Sequence, residues 1–116
     1  MKQLAALLLL AFIAAPSNLS GVWTGAFRGS DSDIPQLFTL KQQGTKITGT
    51  GGPDSTEQYP VQNGSIAGDA VKFEVNTGQR HYFYDLKATN KKLQGRLTIK
   101  GSNHTSNTTV SLERSH

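Results

Sequence analysis

"AVKFEVNTGQRHYFYDLKA" (Ala70–Ala88) reads as two alternating runs joined by a turn. Val71, Phe73 and Val75 fall on one side of the first run, with Lys72 and Glu74 opposite. In the second run Tyr82, Tyr84, Leu86 and Ala88 share a side, and Phe83, Asp85 and Lys87 lie across from them. Successive strand side chains point to opposite faces, so an apolar residue at every second position marks a strand with one buried and one wet face. Between the runs, "NTGQ" (76–79) carries the Asn and Gly that a hairpin turn favours.

The same period extends in both directions. "QLFTLKQQ" (36–43) sets Phe38 and Leu40 against Thr39 and Lys41, "LQGRLTIKG" (93–101) lines up Leu93, Gly95, Leu97 and Ile99, and "TVSLER" (109–114) lines up Val110, Leu112 and Arg114. Turn chemistry recurs at 42–46, 51–58, 67–70, 89–92 and 101–107. Strands are therefore predicted near 20–28, 35–42, 45–51, 58–66, 70–76, 80–88, 92–100 and 107–114. No connection is long enough to return a parallel strand. The expected fold is all-β, an antiparallel up-and-down meander of about eight strands. An Ile or Leu followed two residues later by Gly occurs at Leu19–Gly21, Ile47–Gly49, Ile66–Gly68 and Leu93–Gly95. Such glycines permit bends and close strand approach, and repeated bends let a sheet curl until its edges meet. Closure into a barrel is expected, since it also removes exposed edge strands.

Ahead of the first strand stands "MKQLAALLLLAFIAAPS" (1–17): a lysine, an apolar run from Leu4 to Ala15, then small residues and a proline. That order is the pattern of a secretory signal peptide, with cleavage expected after Ser17. The run is shorter than the roughly 20 residues a membrane-spanning helix needs. Residues 18–116 then form one expected β-barrel domain, secreted or periplasmic. The chain has no cysteine, so neither a disulfide framework nor a thiolate metal site is expected. Its net charge of +4 is scattered rather than clustered, which argues against a nucleic-acid surface. Four Asn-x-Ser/Thr sequons, at Asn18, Asn63, Asn103 and Asn107, accept glycans only in a eukaryotic secretory pathway.

"NLSGVWTGAF" (Asn18–Phe27) holds the single tryptophan between two glycines of its own strand face, Gly21 and Gly25. Gly21-Val22-Trp23 opening an eight-strand meander resembles the calycin-type barrels: lipocalins, fatty-acid-binding proteins and the avidin group. The chain is also similar to small secreted β domains of soil bacteria whose function is uncharacterised. The resemblance implies that Trp23 closes one end of the barrel and that a late arginine, here Arg114, packs across it. From size alone, Gly21 and Gly25 are expected to leave room for the indole. The lipocalin disulfides and the helical lid of fatty-acid-binding proteins have no counterpart here.

Alternation sends Tyr82 and Tyr84 inward with Leu86, and His81 and Phe83 outward. Phe38, Leu40, Phe73, Tyr82 and Tyr84 are the candidate ligand contacts, for a small, largely apolar molecule bound in the barrel mouth. No catalytic motif stands out, and no cofactor or metal is expected. His81, His104 and His116 lack metal-site spacing, and Asp31 and Asp33 lack the further oxygen donors of a calcium loop. The alternative is a filled structural barrel that meets a protein partner through loops 29–35, 51–58 and 101–107 or through His81 and Phe83. Polar outward residues such as Lys41, Lys72 and Glu74 argue against a membrane barrel, whose outer face is apolar.

Overall fold

Alternation governs the chain from Gly21 onward. In the computed structural model, which describes residues 18–115, the strands are β1 (Gly21–Arg28), β2 (Asp33–Gln43), β3 (Lys46–Gly52), β4 (Tyr59–Ala67), β5 (Ala70–Asn76), β6 (His81–Ala88), β7 (Lys92–Lys100) and β8 (Thr105–Ser115). Each pairs antiparallel with the next, and β8 returns to β1, closing a barrel in meander order. The predicted strands all form, their ends within two residues of those expected. The predicted leader, its cleavage point after Ser17 and His116 lie outside the described residues.

Two loops are shorter than the sequence suggests. Asp33, Ile34 and Pro35 belong to β2, where Pro35 stands opposite Ala26. Proline is tolerated there because pairing with β3 ends at Leu37 opposite Gly52, leaving no ladder on that side to interrupt. At the other end of the chain, β8 starts at Thr105, so the last loop is only 101–104. β4 also breaks strict alternation. Asn63 takes a φ of 51°, and the register with both β3 and β5 shifts by one residue around it. This bulge moves the inward set from Tyr59 and Val61 to Gly64 and Ile66.

One face of every strand fills the barrel. Trp23, Phe38, Leu93, Leu97, Leu112 and Val71 are wholly buried there, joined by Leu40, Ile47 and Phe73. Val22 is the one exposed large hydrophobic among the described residues. No helix among them is long and apolar enough to cross a membrane.

The glycine pattern divides by role. A Cβ on Gly49 would come 2.0 Å from the Thr39 carbonyl oxygen and one on Gly95 2.4 Å from that of Asp85, so both mark close strand approach in a tightly coiled sheet. Gly68 is different: it lies in the β4–β5 turn with a φ of +64° and open space around it. Gly25 corrects the expectation about the indole. What a Cβ there would meet first is the backbone of β8, the Ser111 carbonyl oxygen at 1.9 Å. Gly25 is small so that β8 can close on β1, whereas Gly21 leaves space for Arg114, whose Nη1 a Cβ would approach to 3.1 Å.

That arginine seals one end. Trp23 is fully buried and donates its indole N–H to the Leu19 carbonyl at 2.9 Å. The Arg114 guanidinium stacks over the indole, 4.6 Å from its centroid, and donates to the Ser20 and Asn18 carbonyls, each at 2.7 Å. Leu19, itself buried, is held further by its N–H on Gln42 Oε1 at 2.9 Å. The segment Asn18–Ser20 is thus strapped across the barrel end. Turns on this side are tight: Gly44–Thr45 and Gly68–Asp69 are two-residue links led by a left-handed glycine, at φ +63° and +64°.

Two substitutions test this construction by urea denaturation. Gly25→Ala drives a Cβ into the β8 backbone and is expected to destabilise by about 3 kcal/mol, while Gly68→Asn, in open space, changes stability by less than about 1 kcal/mol. Arg114→Lys keeps the charge but loses the flat two-pronged donor, and about 2 kcal/mol with it.

Candidate functional site

Because the chain is a meander, alternate loops share an end. The β1–β2, β3–β4, β5–β6 and β7–β8 loops all gather opposite the Trp23 seal. These are the longer connections, and their own hydrogen bonds hold them in place. Gly29 N–H donates to the Ser32 carbonyl at 3.0 Å, Thr77 N–H to Arg80 at 3.0 Å, and Gly101 N–H to His104 at 2.8 Å. In the β3–β4 loop Asp54 accepts from the Thr56 hydroxyl at 2.8 Å and from the amides of Glu57 at 2.9 Å and Thr56 at 3.0 Å. Those donors, the Thr56 hydroxyl foremost, hold its carboxyl below the ordinary carboxylate range.

Between the loops the barrel interior is not completely filled. A cavity of about 130 Å³ opens at this end, walled by Phe27, Ile34, Phe38, Tyr59, Tyr82 and Tyr84, with Gln36 on its lining. Its inner wall is rigid. Phe73 stacks on Tyr84 at 4.8 Å between centroids, and Phe38 meets Phe73 and Tyr84 at 5.3 Å each in tilted and edge-on geometry. Contacts of this kind are worth about 0.5–1.5 kcal/mol each beyond the area they bury. Gly51 opposes Phe38 across β2 and β3, and a Cβ there would fall 2.0 Å from the Phe38 ring.

One polar pair sits in this wall. The Tyr84 hydroxyl donates to Gln36 Oε1 at 2.5 Å, and Gln36 Nε2 donates to the Pro35 carbonyl at 3.0 Å. A carbonyl only accepts, so the amide nitrogen must face Pro35 and its oxygen must face Tyr84. Two hydrogens sit on that nitrogen, and Pro35 takes one. The second N–H and the lone pairs of the phenol oxygen are the polar atoms the pair can offer to a guest. Burial, with a smaller contribution from neighbouring Tyr82, pushes the Tyr84 phenol far above its ordinary value of 10.0. Tyr59 is also raised, chiefly because its hydroxyl donates to Glu57 Oε2 at 2.6 Å.

Of the sequence candidates, Phe38, Tyr82 and Tyr84 line this cavity. Phe73 stands behind them as the ring on which Tyr84 stacks, and Leu40 lies deeper, one inward step from Phe38 toward the seal. Gln36 is not among those candidates, although it shares the parity of Phe38 and Leu40; a polar residue in the buried register is the signal that finds it. Tyr59 and Val75 line the cavity too; Val75 shares the inward face of Phe73, whereas the β4 bulge obscures the facing of Tyr59 in the sequence. Outside the barrel, His81 and Phe83 stack at 4.2 Å, Lys100 lies over Phe83 at 5.1 Å, and His81 Nε2 is 2.8 Å from Glu74 Oε1. An open groove of about 790 Å³ also crosses the outer strands past Arg28, Lys87 and Arg96. Among the described residues no three His, Cys, Asp or Glu side chains are grouped to hold a metal ion.

Comparison with protein-family models, with curated proteins and with solved structures gives no match to this chain.

The raised tyrosines make stability depend on alkaline pH. A phenol whose pKa is higher folded than unfolded contributes stability that is intact below pH 10 and falls away as pH rises above it. Absorbance titration of phenolate is expected to show Tyr84 ionising only together with unfolding, in one cooperative step. Tyr84→Phe leaves Gln36 Oε1 buried without a donor and is expected to lose about 1–3 kcal/mol, most of it recovered in the Gln36→Leu/Tyr84→Phe double variant.

Proposed function

We propose that the chain is an exported, non-enzymatic β-barrel that binds a small, largely apolar molecule in its open mouth. The observation that carries this reading is the aromatic cavity with a buried amide–phenol pair on its wall. A barrel packed only for stability has no use for an unfilled space beside a hydrogen-bonding group. Eight strands leave an interior that side chains can fill or that can hold one small ligand. Here the sealed end is filled and the mouth is not. A general likeness to calycin-type barrels, sealed by a tryptophan beneath a late arginine, supports the same reading.

Size restricts the guest. At about 130 Å³ the space falls below the roughly 300–1,000 Å³ of drug-sized ligand pockets and near the roughly 150 Å³ that takes up benzene in an engineered apolar core. A single ring fits, and a steroid or a long acyl chain does not. The Gln36–Tyr84 pair suits a ring carrying one acceptor or hydroxyl. The second reading, a structural barrel with a protein partner, rests on the outward His81–Phe83–Lys100 stack, a half-buried aromatic patch.

Phenol titrated into the protein and followed by amide NMR separates the two. Saturable shifts at Gln36, Phe38 and Tyr84, with a Kd on the order of 0.1–1 mM, are expected for so small a ligand. The folded Ile34→Trp variant, which plugs the mouth, is expected to abolish them. Absence of any shift in the wild-type chain would overturn the binding reading in favour of the filled barrel.

A further inference from the structure

Beyond the cavity, the mouth opens into a wider cleft of about 940 Å³ between the β1–β2, β5–β6 and β7–β8 loops. Phe27, Ile34 and Tyr82 line both spaces, so they form the threshold between them. The rings of Phe27 and Tyr82 lie 6.3 Å apart at 55°, a loose contact compared with the packed trio behind them. Apolar on the inside, the threshold gives onto a very different chemistry outside.

The basic residues lining the cleft are Arg28, Arg80 and His104, and no carboxylate lines it. Neither arginine is part of an ion pair among the described residues. None of the loop-end carboxylates is among the cleft's lining residues. Asp54 is occupied by three donors of its own loop, and Glu57 accepts from Tyr59 on the far side of the cavity. Asp31 and Asp33 are exposed and do not line the cleft, although Asp33 stands opposite Arg28 in the β1–β2 ladder. The rest of the lining is neutral, with Asn103, Asn107 and Gln79 supplying amide donors. Thr108 anchors the β1 end by donating its hydroxyl to the Arg28 carbonyl at 2.8 Å.

We infer that the ligand is amphipathic: a single-ring molecule carrying an anionic group, such as a small aromatic carboxylate. The ring passes between Phe27 and Tyr82 into the cavity, and the anion stays in the cleft, facing Arg28 and Arg80 with His104 and the amides beside them. Two fixed positive charges, Arg80 outside any ion pair among the described residues and Arg28 with only Asp33 opposite it across the β1–β2 ladder, favour an anion over its neutral counterpart. Both arginines are exposed to water, so the preference is modest and weakens with salt. This inference rests on the proposed binding of a small apolar molecule in the mouth.

The test compares 3-phenylpropionate with 3-phenylpropionamide, which share ring and length and differ in charge, alongside phenol as a probe of the cavity alone. In low salt the carboxylate is expected to bind about fivefold more tightly than the amide. That advantage should vanish in the Arg28→Gln/Arg80→Gln variant, whose changes lie on the surface and whose melting temperature serves as the folding control. Equal binding of acid and amide, with phenol still bound, would overturn the anion inference and leave the cavity reading standing. Persistence of the advantage in the double variant would overturn the assignment to the cleft. Failure of all three probes would remove the binding reading itself, and this inference with it.

Discussion

The barrel depends on what happens at Trp23. A strand residue of this size buried on the inward face of β1 must be covered from the barrel end, and three elements distant in sequence converge to do it. Arg114 comes from the last strand, Gln42 from the end of the second, and Leu19 from the segment ahead of the first. The guanidinium stacks on the indole while both its prongs take backbone carbonyls of that segment, so charge, π-face and unpaired carbonyls satisfy one another. β1 and β8 are also the pair whose meeting closes the sheet. The lock therefore ties the first and last strands at the seam where a meander would otherwise expose two edges.

A seal at one end permits an opening at the other. Tight turns crowd the Trp23 end, and the longer loops, each pinned by its own hydrogen bonds, ring the far end. The interior changes in the same direction. Buried aliphatic side chains such as Leu93, Leu112 and Ile47 occupy the strand ends on the Trp23 side, and the aromatic trio Phe38, Phe73 and Tyr84 marks the floor of the unfilled space. Rings are suited to that position because they hold a wall flat and in place with few rotatable bonds. Gln36 and Tyr84 complete it, since each satisfies the other and neither is left orphaned when the cavity is dry.

Much of the architecture is legible in the sequence because it follows from a period of two and from turn residues, both local. Val71–Phe73–Val75 and Tyr82–Tyr84–Leu86 identify their strands and the faces they bury without reference to any other part of the chain. What resists such reading is set by contacts across the barrel. Gly25 and Gly68 look alike in sequence, yet one admits the backbone of β8 and the other turns a hairpin. Asn63 shifts the facing of β4 by a single bulged residue, which hides Tyr59 from a simple alternation count. Gln36 bonds with Tyr84, a residue far along the chain, and only the closed barrel brings them together. The role of Asn18–Ser20 as a strap is not legible in its sequence, because its place is determined by Arg114 in the last strand.

Hydrogen exchange of the Trp23 indole proton, measured by NMR beside the backbone amides, tests the central claim directly. If the seal holds the barrel, that proton exchanges only through global unfolding, with the same opening free energy as the slowest core amides of β1, β2 and β7. Exchange through a local opening of markedly lower free energy, with the core amides still protected, would show that the end frays independently and that the barrel does not depend on the lock.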